Sequence, residues 1–337
     1  MSSEQQLASL FKAVEGIDQL LILPHNDPDP DAVAGAVALS RLLSAKTALH
    51  PIIAYAGMIG RSENKALVNY LDQPLAQLND LVLPPAVPVA LIDTQPEMGN
   101  NTVPAGSPVV VVIDHHPWRE ASALAPLADV RVDIGSTSTI LTEYFQASGL
   151  EPDQKLATAL FYGIKTDTLG LTRGTALADI DAFFYLRPRI DVDCLLEIER
   201  AQVPLGYFKS FDAALRAARI YDHRIVISYI GAMTYPDLAA ELADVLLRLE
   251  GTEWVVCMGH YGQELILAVR TTRPAGGAGL LAQSVVGKQG SAGGHGTMAG
   301  GHILLWGRNP KATAARVARL VLKYLDLAPD LKGQPLV

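Results

Sequence analysis

The stretch Val109-Val-Val-Val-Ile-Asp-His-His-Pro117 predicts the fold class of this chain. Its five consecutive β-branched residues are too few for a membrane-spanning helix and too apolar for a half-exposed strand, so they indicate the central strand of a parallel α/β sheet covered on both faces. Asp114, His115 and His116 follow at the carboxyl end of this strand, where open α/β sheets place their ligands. Adjacent residues of an extended chain point to opposite faces, so this triplet on its own is also compatible with a polar loop.

Length and composition limit the classes of protein that fit. A chain of 337 residues with 49% apolar content can form two domains, each with its own core. The two cysteines, Cys194 and Cys257, show no close spacing and are interpreted as buried free thiols in a reducing compartment. The polar, acidic start of the chain is unlike a secretory signal, and no apolar run reaches about 18 residues, so we expect a soluble cytoplasmic protein.

The net charge of −8 argues against a surface that holds long DNA or RNA, because such binding requires many Lys and Arg contacts to phosphates. A small anionic substrate in one local basic pocket is compatible with this charge. The sequence leaves a homodimer open.

A second group of acidic and imidazole side chains follows the apolar strand at 19–24. The run is His25-Asn-Asp-Pro-Asp-Pro-Asp31, and a helix of Ala, Val and Leu begins after it, with Asp31 predicted as its N-cap. Such groups crowded into seven residues repel one another in an ordinary loop, whereas a divalent cation would neutralise them. His25, Asp29 and Asp31 are therefore candidate ligands, and a solvated acidic turn is the alternative.

Two further element ends carry carboxylates. Asp93 ends the apolar run 87–92, and Asp167 follows a helix that begins near Pro152. Mixed imidazole and carboxylate donors without a thiolate point to Mn²⁺, Mg²⁺ or Co²⁺ rather than to structural Zn²⁺. The donors outnumber what one ion needs, so we expect two ions. The candidate donors are His25, Asp29, Asp31, Asp93, His115, His116 and Asp167.

These motifs, in this order, resemble the four phosphoesterase motifs of the DHH superfamily. That superfamily includes RecJ-type exonucleases, family II inorganic pyrophosphatases, exopolyphosphatases and the nanoRNase and pAp-phosphatase group, which the chain resembles most. Farther along, Gly290-Ser-Ala-Gly-Gly-His-Gly-Thr-Met-Ala-Gly-Gly301 resembles the Gly-Gly-Gly-His signature of the accompanying DHHA1 domain, with Ala292 in place of the first glycine. We expect a parallel-sheet DHH domain at 1–187, a helical linker at 188–221 and a smaller α/β DHHA1 domain at 222–337.

The resemblance implies a division of the ligands between two Mn²⁺ ions: His25 and Asp29 hold one, Asp31, His115 and Asp167 hold the other, and Asp93 bridges both. It also implies that His116 faces the substrate phosphate and that Asp114 orients a neighbouring histidine. His116, Asp114 and Asp93 are accordingly the predicted catalytic residues.

The predicted second domain supplies candidate substrate-binding residues. Arg270 follows the apolar run 265–269, and a guanidinium at the end of a buried strand suits bidentate phosphate binding, although strand arginines are also common on solvated surfaces. The resemblance implies that this Arg contacts substrate. The glycines around Gly293, Gly294 and His295 allow a backbone to approach an anion closely, and tight packing on a neighbouring strand would require them equally.

These features predict hydrolysis by a water molecule that two metal ions activate. We expect the substrate to be a short oligoribonucleotide or 3′-phosphoadenosine 5′-phosphate (pAp), because the acidic chain favours a short substrate. An exopolyphosphatase-like or cyclic-dinucleotide phosphodiesterase activity is the first alternative. A non-catalytic nucleotide-binding regulator is the second, although the complete ligand set argues against it.

Overall fold

A computed structural model describes residues 2–337, apart from the side chain of His295. The chain divides into two compact units, Met1–Ala201 and Gln202–Val337. The division lies inside the segment predicted as a helical linker, 188–221. One of the helices in that segment ends the first unit and the other begins the second.

A parallel sheet forms the centre of the first unit, as predicted. Its strands are β1 (Gln19–Pro24), β2 (His50–Tyr55), β3 (Ala76–Gln77), β4 (Val89–Ile92), β5 (Val109–Asp114) and β6 (Leu127–Val130). All of them pair in parallel, in the order β3-β2-β1-β4-β5-β6. The direction of strand succession reverses between β1 and β4, and doubly wound sheets bind ligands at such a switch point.

The strand β5 is buried but does not lie at the centre of the sheet. Its residues from Val111 to Asp114 are buried, as the apolar run predicts. However, β5 lies next to the edge strand β6, and the centre is formed by β1 and β4. The prediction of a central strand was wrong in this respect, because burial on both faces requires cover by other elements and not a central position.

The helices of the first unit are α1 (Ser3–Ala13), α2 (Pro30–Lys46), α3 (Ser62–Leu71), α4 (Thr137–Ser148), α5 (Gln154–Asp167), α6 (Leu177–Leu186) and α7 (Val192–Glu199). Strand β1 shows how the sheet is covered. Leu20 and Ile22 pack with the core residues of α2, α4 and α5, whereas Leu21 and Leu23 pack into a second cluster on the opposite face. Alternating side chains of this strand therefore bury both faces of the sheet.

The N-cap of α2 is Asp29 and not Asp31, which corrects the prediction. The Asp29 carboxylate accepts a hydrogen bond from the Ala32 amide at 3.0 Å. Pro30 occupies the first helical position, where its fixed φ is suitable and its missing N–H is not needed. Asp31 consequently lies in the first turn of the helix, with its side chain fully buried.

The second unit is also α/β and contains a mixed sheet in the order β11-β12-β10-β9-β8-β7-β13. Its strands are β7 (Arg219–Tyr221), β8 (Ile225–Ala232), β9 (Trp254–Tyr261), β10 (Glu264–Thr271), β11 (Gly290–His295), β12 (Met298–Leu304) and β13 (Gln334–Pro335), and its helices are α8 (Leu205–Ala217), α9 (Leu238–Leu246), α10 (Ala278–Val286) and α11 (Pro310–Tyr324). Only β8 and β9 pair in parallel among the described strands of this sheet.

Two sequence predictions concern the chain as a whole. Cys194 and Cys257 are free; Cys257 is buried as predicted, whereas Cys194 on α7 is only partly buried. Within residues 2–337, no helix combines the length and apolarity needed to cross a membrane.

The close approach of α5 to α2 and α4 requires a glycine at position 163. A Cβ added there would lie 2.9 Å from Asp31 Oδ1 and would collide with Ser138 Oγ. We expect Gly163→Ala to lower the free energy of unfolding by about 1–3 kcal/mol, because overpacking forces the helices apart. Gly206 in α8 is the matched control, because a Cβ there meets no atom within 4 Å. Gly206→Ala should leave stability unchanged or raise it by up to about 1 kcal/mol. Urea unfolding measures both, and a Gly163→Ala variant as stable as the parent protein would contradict this packing.

Candidate metal centre

Side chains from five chain segments meet at the carboxyl edge of the first sheet. These segments are the loop after β1, the start of α2, the turn after β4, the residues after β5 and the end of α5. Their donor atoms form groups within 4.8 Å of one another: His25 with Asp29 and Asp93, Asp31 with His115 and Asp167, and Asp93 with His115 and His116. The structure therefore brings together all the side chains that the sequence suggested as metal ligands.

Asp93 lies between these groups. It follows the end of β4, is 1% exposed and adopts a left-handed backbone conformation with φ of 59°, which Asp tolerates better than most residues. Its Oδ2 lies 3.5 Å from His25 Nε2, and its Oδ1 lies 3.4 Å from His115 Nε2. Each carboxylate oxygen thus faces a different histidine, which is an arrangement that suits a bridging ligand.

The hydrogen bonds of two histidines fix the roles of their ring nitrogens. His25 Nδ1 lies 2.8 Å from the Asn26 carbonyl oxygen, and His115 Nδ1 lies 3.3 Å from the Ile134 carbonyl oxygen. A carbonyl oxygen can only accept, so Nδ1 is the donor in both rings. In the neutral imidazole, Nε2 then carries a lone pair directed at the carboxylates, as it does in metal-ligating histidines.

The surroundings of His115 test whether these residues fit a cation. His115 Nε2 is buried and has no hydrogen-bond partner among the described residues, although Asp167 Oδ2 lies 3.2 Å away. A lone pair that faces a carboxylate oxygen at this distance is repelled unless a proton or a cation lies between them. Imidazole and carboxylate donors together suit Mn²⁺ and related divalent ions, so the donor set fits such an ion.

His116 differs from the other two histidines. Its Nδ1 lies 2.8 Å from Asp114 Oδ1, and an ionised carboxylate can only accept, so Nδ1 donates to Asp114. The atom that His116 offers to Asp93, 3.7 Å away, is this same Nδ1. His116 is therefore poorly suited as a ligand. The better candidate ion sites are the group of His25 with Asp29 and Asp93 and the group of Asp31 with His115 and Asp167. The His116 side chain is 25% exposed, which leaves it accessible to a substrate.

The pKa values show that negative charge is concentrated here. Burial and the neighbouring Asp167 and Asp93 carboxylates raise the pKa of Asp31 well above its usual range. Burial and the charge of Asp29 raise the pKa of Asp167 to about 6. Burial disfavours the charged form of His25, but Asp29 and Asp93 outweigh it and raise the pKa of His25 to about 10. The cluster thus attracts positive charge, which protons or a divalent cation can supply.

The N-terminus of α4 contributes residues that sequence reasoning missed. The amides of Thr137 and Ser138 donate to the two oxygens of Asp31, at 2.7 and 2.8 Å. The Thr137 hydroxyl donates to Asp93 Oδ1 at 2.8 Å. A helix N-terminus stabilises a nearby carboxylate, which explains how Asp31 is accommodated without exposure. The available signal was a helix beginning at Ser136, shortly after a strand whose carboxyl end lies at this same edge.

A second missed residue is Gln95, two positions after Asp93. Its side chain is fully buried, and its Nε2 donates to Asp114 Oδ2 at 2.6 Å. No sequence motif indicated it, because its role depends on the strand that lies beside β4.

The predicted substrate-binding residues belong to the second unit. Arg270, on β10, is 7% exposed, so it is not a solvated surface residue; its Nε donates to Asp244 Oδ1 on α9 at 2.5 Å. Gly293 and Gly294 lie in β11, opposite Gly300 and Ala299 of β12. The side chain of His295 lies outside the described residues. The contact of these residues with substrate stays a prediction.

The glycines of β11 differ in what they pack against. A Cβ at Gly294, whose φ is 141°, would collide with Ala299, whereas a Cβ at Gly293 would meet no atom within 4 Å. Tight packing on the neighbouring strand therefore accounts for Gly294 and leaves Gly293 unexplained.

Comparison with known proteins places this geometry in a family. Residues 19–164 match the model of the DHH family, N-terminal domain. An uncharacterized protein of Methanocaldococcus jannaschii is 36% identical over 253 residues, which cover 75% of this chain and 52% of that protein. The cyclic-di-AMP phosphodiesterase PdeA of Listeria monocytogenes is 26% identical over 264 residues, covering 73% of this chain and 39% of that protein.

One more relative and one solved structure match the chain over a larger share of their own length. A probable manganese-dependent inorganic pyrophosphatase of Lactiplantibacillus plantarum is 25% identical over 218 residues, covering 59% of this chain and 70% of that protein. A crystal structure of an exopolyphosphatase-related protein from Bacteroides fragilis has the same fold, with a TM-score of 0.65 and 15% identity over 95% of this chain and 96% of that one. The chain spans about half of the M. jannaschii protein and less of the L. monocytogenes enzyme. The domain at residues 19–164 therefore belongs to the DHH family.

Proposed function

We propose that this protein is a divalent-metal-dependent phosphoesterase that hydrolyses short oligoribonucleotides or pAp. The observation that carries the proposal is the position of Asp93 between two ligand groups, with its Oδ2 near His25 Nε2 and its Oδ1 near His115 Nε2. A carboxylate with one oxygen toward each group supports a centre of two ions, which is common in enzymes that cleave phosphate esters.

Each ion has a proposed set of ligands. His25 and Asp29 would hold one ion, Asp31, His115 and Asp167 would hold the other, and Asp93 would contact both. When bound, such ions lower the pKa of a water molecule and offset the charge of a phosphoryl group. Manganese suits the mixture of imidazole and carboxylate donors. One relative is named as a manganese-dependent inorganic pyrophosphatase, and two more are named as probable ones.

His116 is the proposed partner of the phosphoryl oxygens. Burial disfavours its charged form, but the hydrogen bond to Asp114 and the charge of Asp93 outweigh this effect and raise the pKa of His116. The imidazolium form is thereby favoured, with Nδ1 held by Asp114. The other ring nitrogen can then donate a hydrogen bond to the substrate, which stabilises negative charge on the phosphoryl group during the reaction.

The second unit is proposed to select what lies beyond the phosphate. Arg270, Gly293, Gly294 and His295 are the residues proposed to contact substrate there. Because Arg270 is ion-paired with Asp244, a phosphate would have to bind beside this pair or exchange with the carboxylate. The net charge of −8 further favours a substrate with few phosphates.

Cyclic dinucleotides are the second candidate substrate class. The relative named as a cyclic-di-AMP phosphodiesterase covers 73% of this chain, and a second protein of that name, from Geobacillus thermodenitrificans, covers 72%. A linear diribonucleotide and a cyclic one both contain a phosphodiester between two nucleosides, so the same ion pair and His116 would serve either. The specificity of the second unit would separate them.

Metal binding should release protons. At pH 7 the raised pKa of His25, about 10, keeps its ring protonated, and a cation can bind only after that proton leaves. We therefore expect the apparent Mn²⁺ affinity to rise between pH 7 and 9, roughly tenfold per pH unit for each proton displaced. Isothermal titration calorimetry in two buffers with different ionisation enthalpies counts the protons. His302, which pairs with Glu264 in the second unit, provides the control: His302→Gln should release the same number. An affinity independent of pH over this range would contradict the assignment.

A substrate panel tests the proposed reaction. The Mn²⁺-loaded protein should turn over pAp or a diribonucleotide faster than cyclic di-AMP, pyrophosphate or polyphosphate. Asp93→Asn should lower the turnover by more than about 100-fold, because the amide keeps the shape of the carboxylate but cannot serve both ions.

The other outcomes of this panel are also decisive. Faster hydrolysis of cyclic di-AMP than of the linear substrates would favour the second candidate. Turnover of pyrophosphate or polyphosphate, with none of dinucleotides, would reject the proposed substrate class. Nucleotide binding without turnover under any divalent cation would instead indicate a regulator.

A further inference from the structure

Both the nitrogen and the oxygen of the buried Gln95 side-chain amide form hydrogen bonds. Its Nε2 donates to Asp114 Oδ2 at 2.6 Å and also lies 3.3 and 3.1 Å from the carbonyl oxygens of His116 and Pro117. Its Oε1 accepts from the Arg119 amide at 2.8 Å and from the Ser122 hydroxyl at 3.0 Å. Every group at the nitrogen end is an acceptor, and the Arg119 amide at the oxygen end is a donor. The partners therefore define the orientation of this amide.

The partner of Gln95 is the carboxylate that holds His116. Asp114 is fully buried, and its Oδ1 accepts from His116 Nδ1 at 2.8 Å and from the His115 amide at 2.9 Å. Gln95 provides the hydrogen bond that the structure describes for Oδ2. A buried carboxylate oxygen without a donor is costly, so loss of Gln95 would favour rotation of Asp114.

We propose that Gln95 is a positioning residue, which fixes the Asp114 carboxylate and the backbone at 116–119 and thereby sets the ring orientation of His116. This inference deepens the proposed function and rests on it for the catalytic consequence. The Gln95 amide nitrogen contacts Asp114 and the carbonyl oxygens of His116 and Pro117, so its effect would pass through Asp114 and His116. Substitution of a residue that hydrogen-bonds to a contact residue of the site commonly lowers activity by about 10- to 100-fold.

The sharpest variant is Gln95→Glu, which keeps the shape of the side chain. When ionised, its carboxylate would face Asp114 Oδ2 and two carbonyl oxygens with no hydrogen to donate, so Asp114 should turn away. Gln95→Ala removes the hydrogen bonds without adding charge. For both variants we expect kcat to fall by roughly 10- to 100-fold, with KM and the Mn²⁺ dissociation constant changed by less than about threefold.

Gln6 offers a matched control in the same unit. It is also a buried glutamine, and its Nε2 donates to the buried carboxylate of Asp129 at 3.2 Å, outside the cluster. Gln6→Glu should therefore reproduce the electrostatic cost of Gln95→Glu while leaving kcat unchanged. An equal loss of kcat in Gln6→Glu would overturn the proposal, because general destabilisation would then explain both variants.

A second readout does not depend on activity. In the ion-free protein, the hydrogen-bonded proton on His116 Nδ1 should give a proton NMR signal, assigned by its absence in His116→Gln. We expect this signal to be lost in both Gln95 variants and retained in Gln6→Glu. Retention of the signal in Gln95→Glu together with the parent kcat would overturn the proposal. Failure of both Gln95 variants to fold, with Gln6→Glu folded, would assign Gln95 a purely structural role. If the parent protein cleaves nothing in the panel but the signal behaves as expected, the proposed function fails while the positioning role stands.

Discussion

The burial of several carboxylates at one edge of a parallel sheet is the constraint on which this structure depends. Asp31, Asp93 and Asp114 are each no more than 1% exposed. Buried charges are tolerated only when they are paired and hydrogen-bonded. Two amides at the start of α4 hold Asp31, the Thr137 hydroxyl holds one oxygen of Asp93, and Gln95 with His116 holds Asp114. The two oxygens of Asp93 also face the Nε2 atoms of His25 and His115. A proton or a cation at these positions would offset the negative charge of the carboxylate.

The topology explains why these groups meet. Parallel strands end at the same edge, and the reversal of strand order between β1 and β4 opens a crevice there. The loop after β1, the turn after β4 and the triplet after β5 therefore converge, although His25 and His115 are far apart in the sequence. The helices α4 and α5 pack against α2 and supply the amides and the last carboxylate, Asp167. The packing of α5 against α2 and α4 thus stabilises the fold and also positions Asp31. Gly163 permits this packing because it has no Cβ.

Much of this arrangement could be predicted from the sequence, because the carboxyl ends of strands are predictable. Apolar runs that end in Asp93 and in Asp114-His115-His116 indicated both the sheet and the residues at its edge. The N-cap of α2 was misjudged because the choice between Asp29 and Asp31 depends on Pro30 at the first helical position. Thr137 and Gln95 were missed for a different reason. Thr137 lies 106 positions from Asp31, and its contact becomes visible only when the packing of α4 beside α2 is known. For Arg270, the sequence predicted the position on a strand but not the ion pair with Asp244.

The proposed function requires that two ions bind where these carboxylates meet and that Asp93 contacts both. Diffraction from crystals of the Mn²⁺-loaded protein at the manganese absorption edge measures this most directly. We expect two anomalous peaks, one beside His25 and Asp29 and the other beside Asp31, His115 and Asp167, with an oxygen of Asp93 next to each. A single peak, or peaks that Asp93 does not contact, would contradict it.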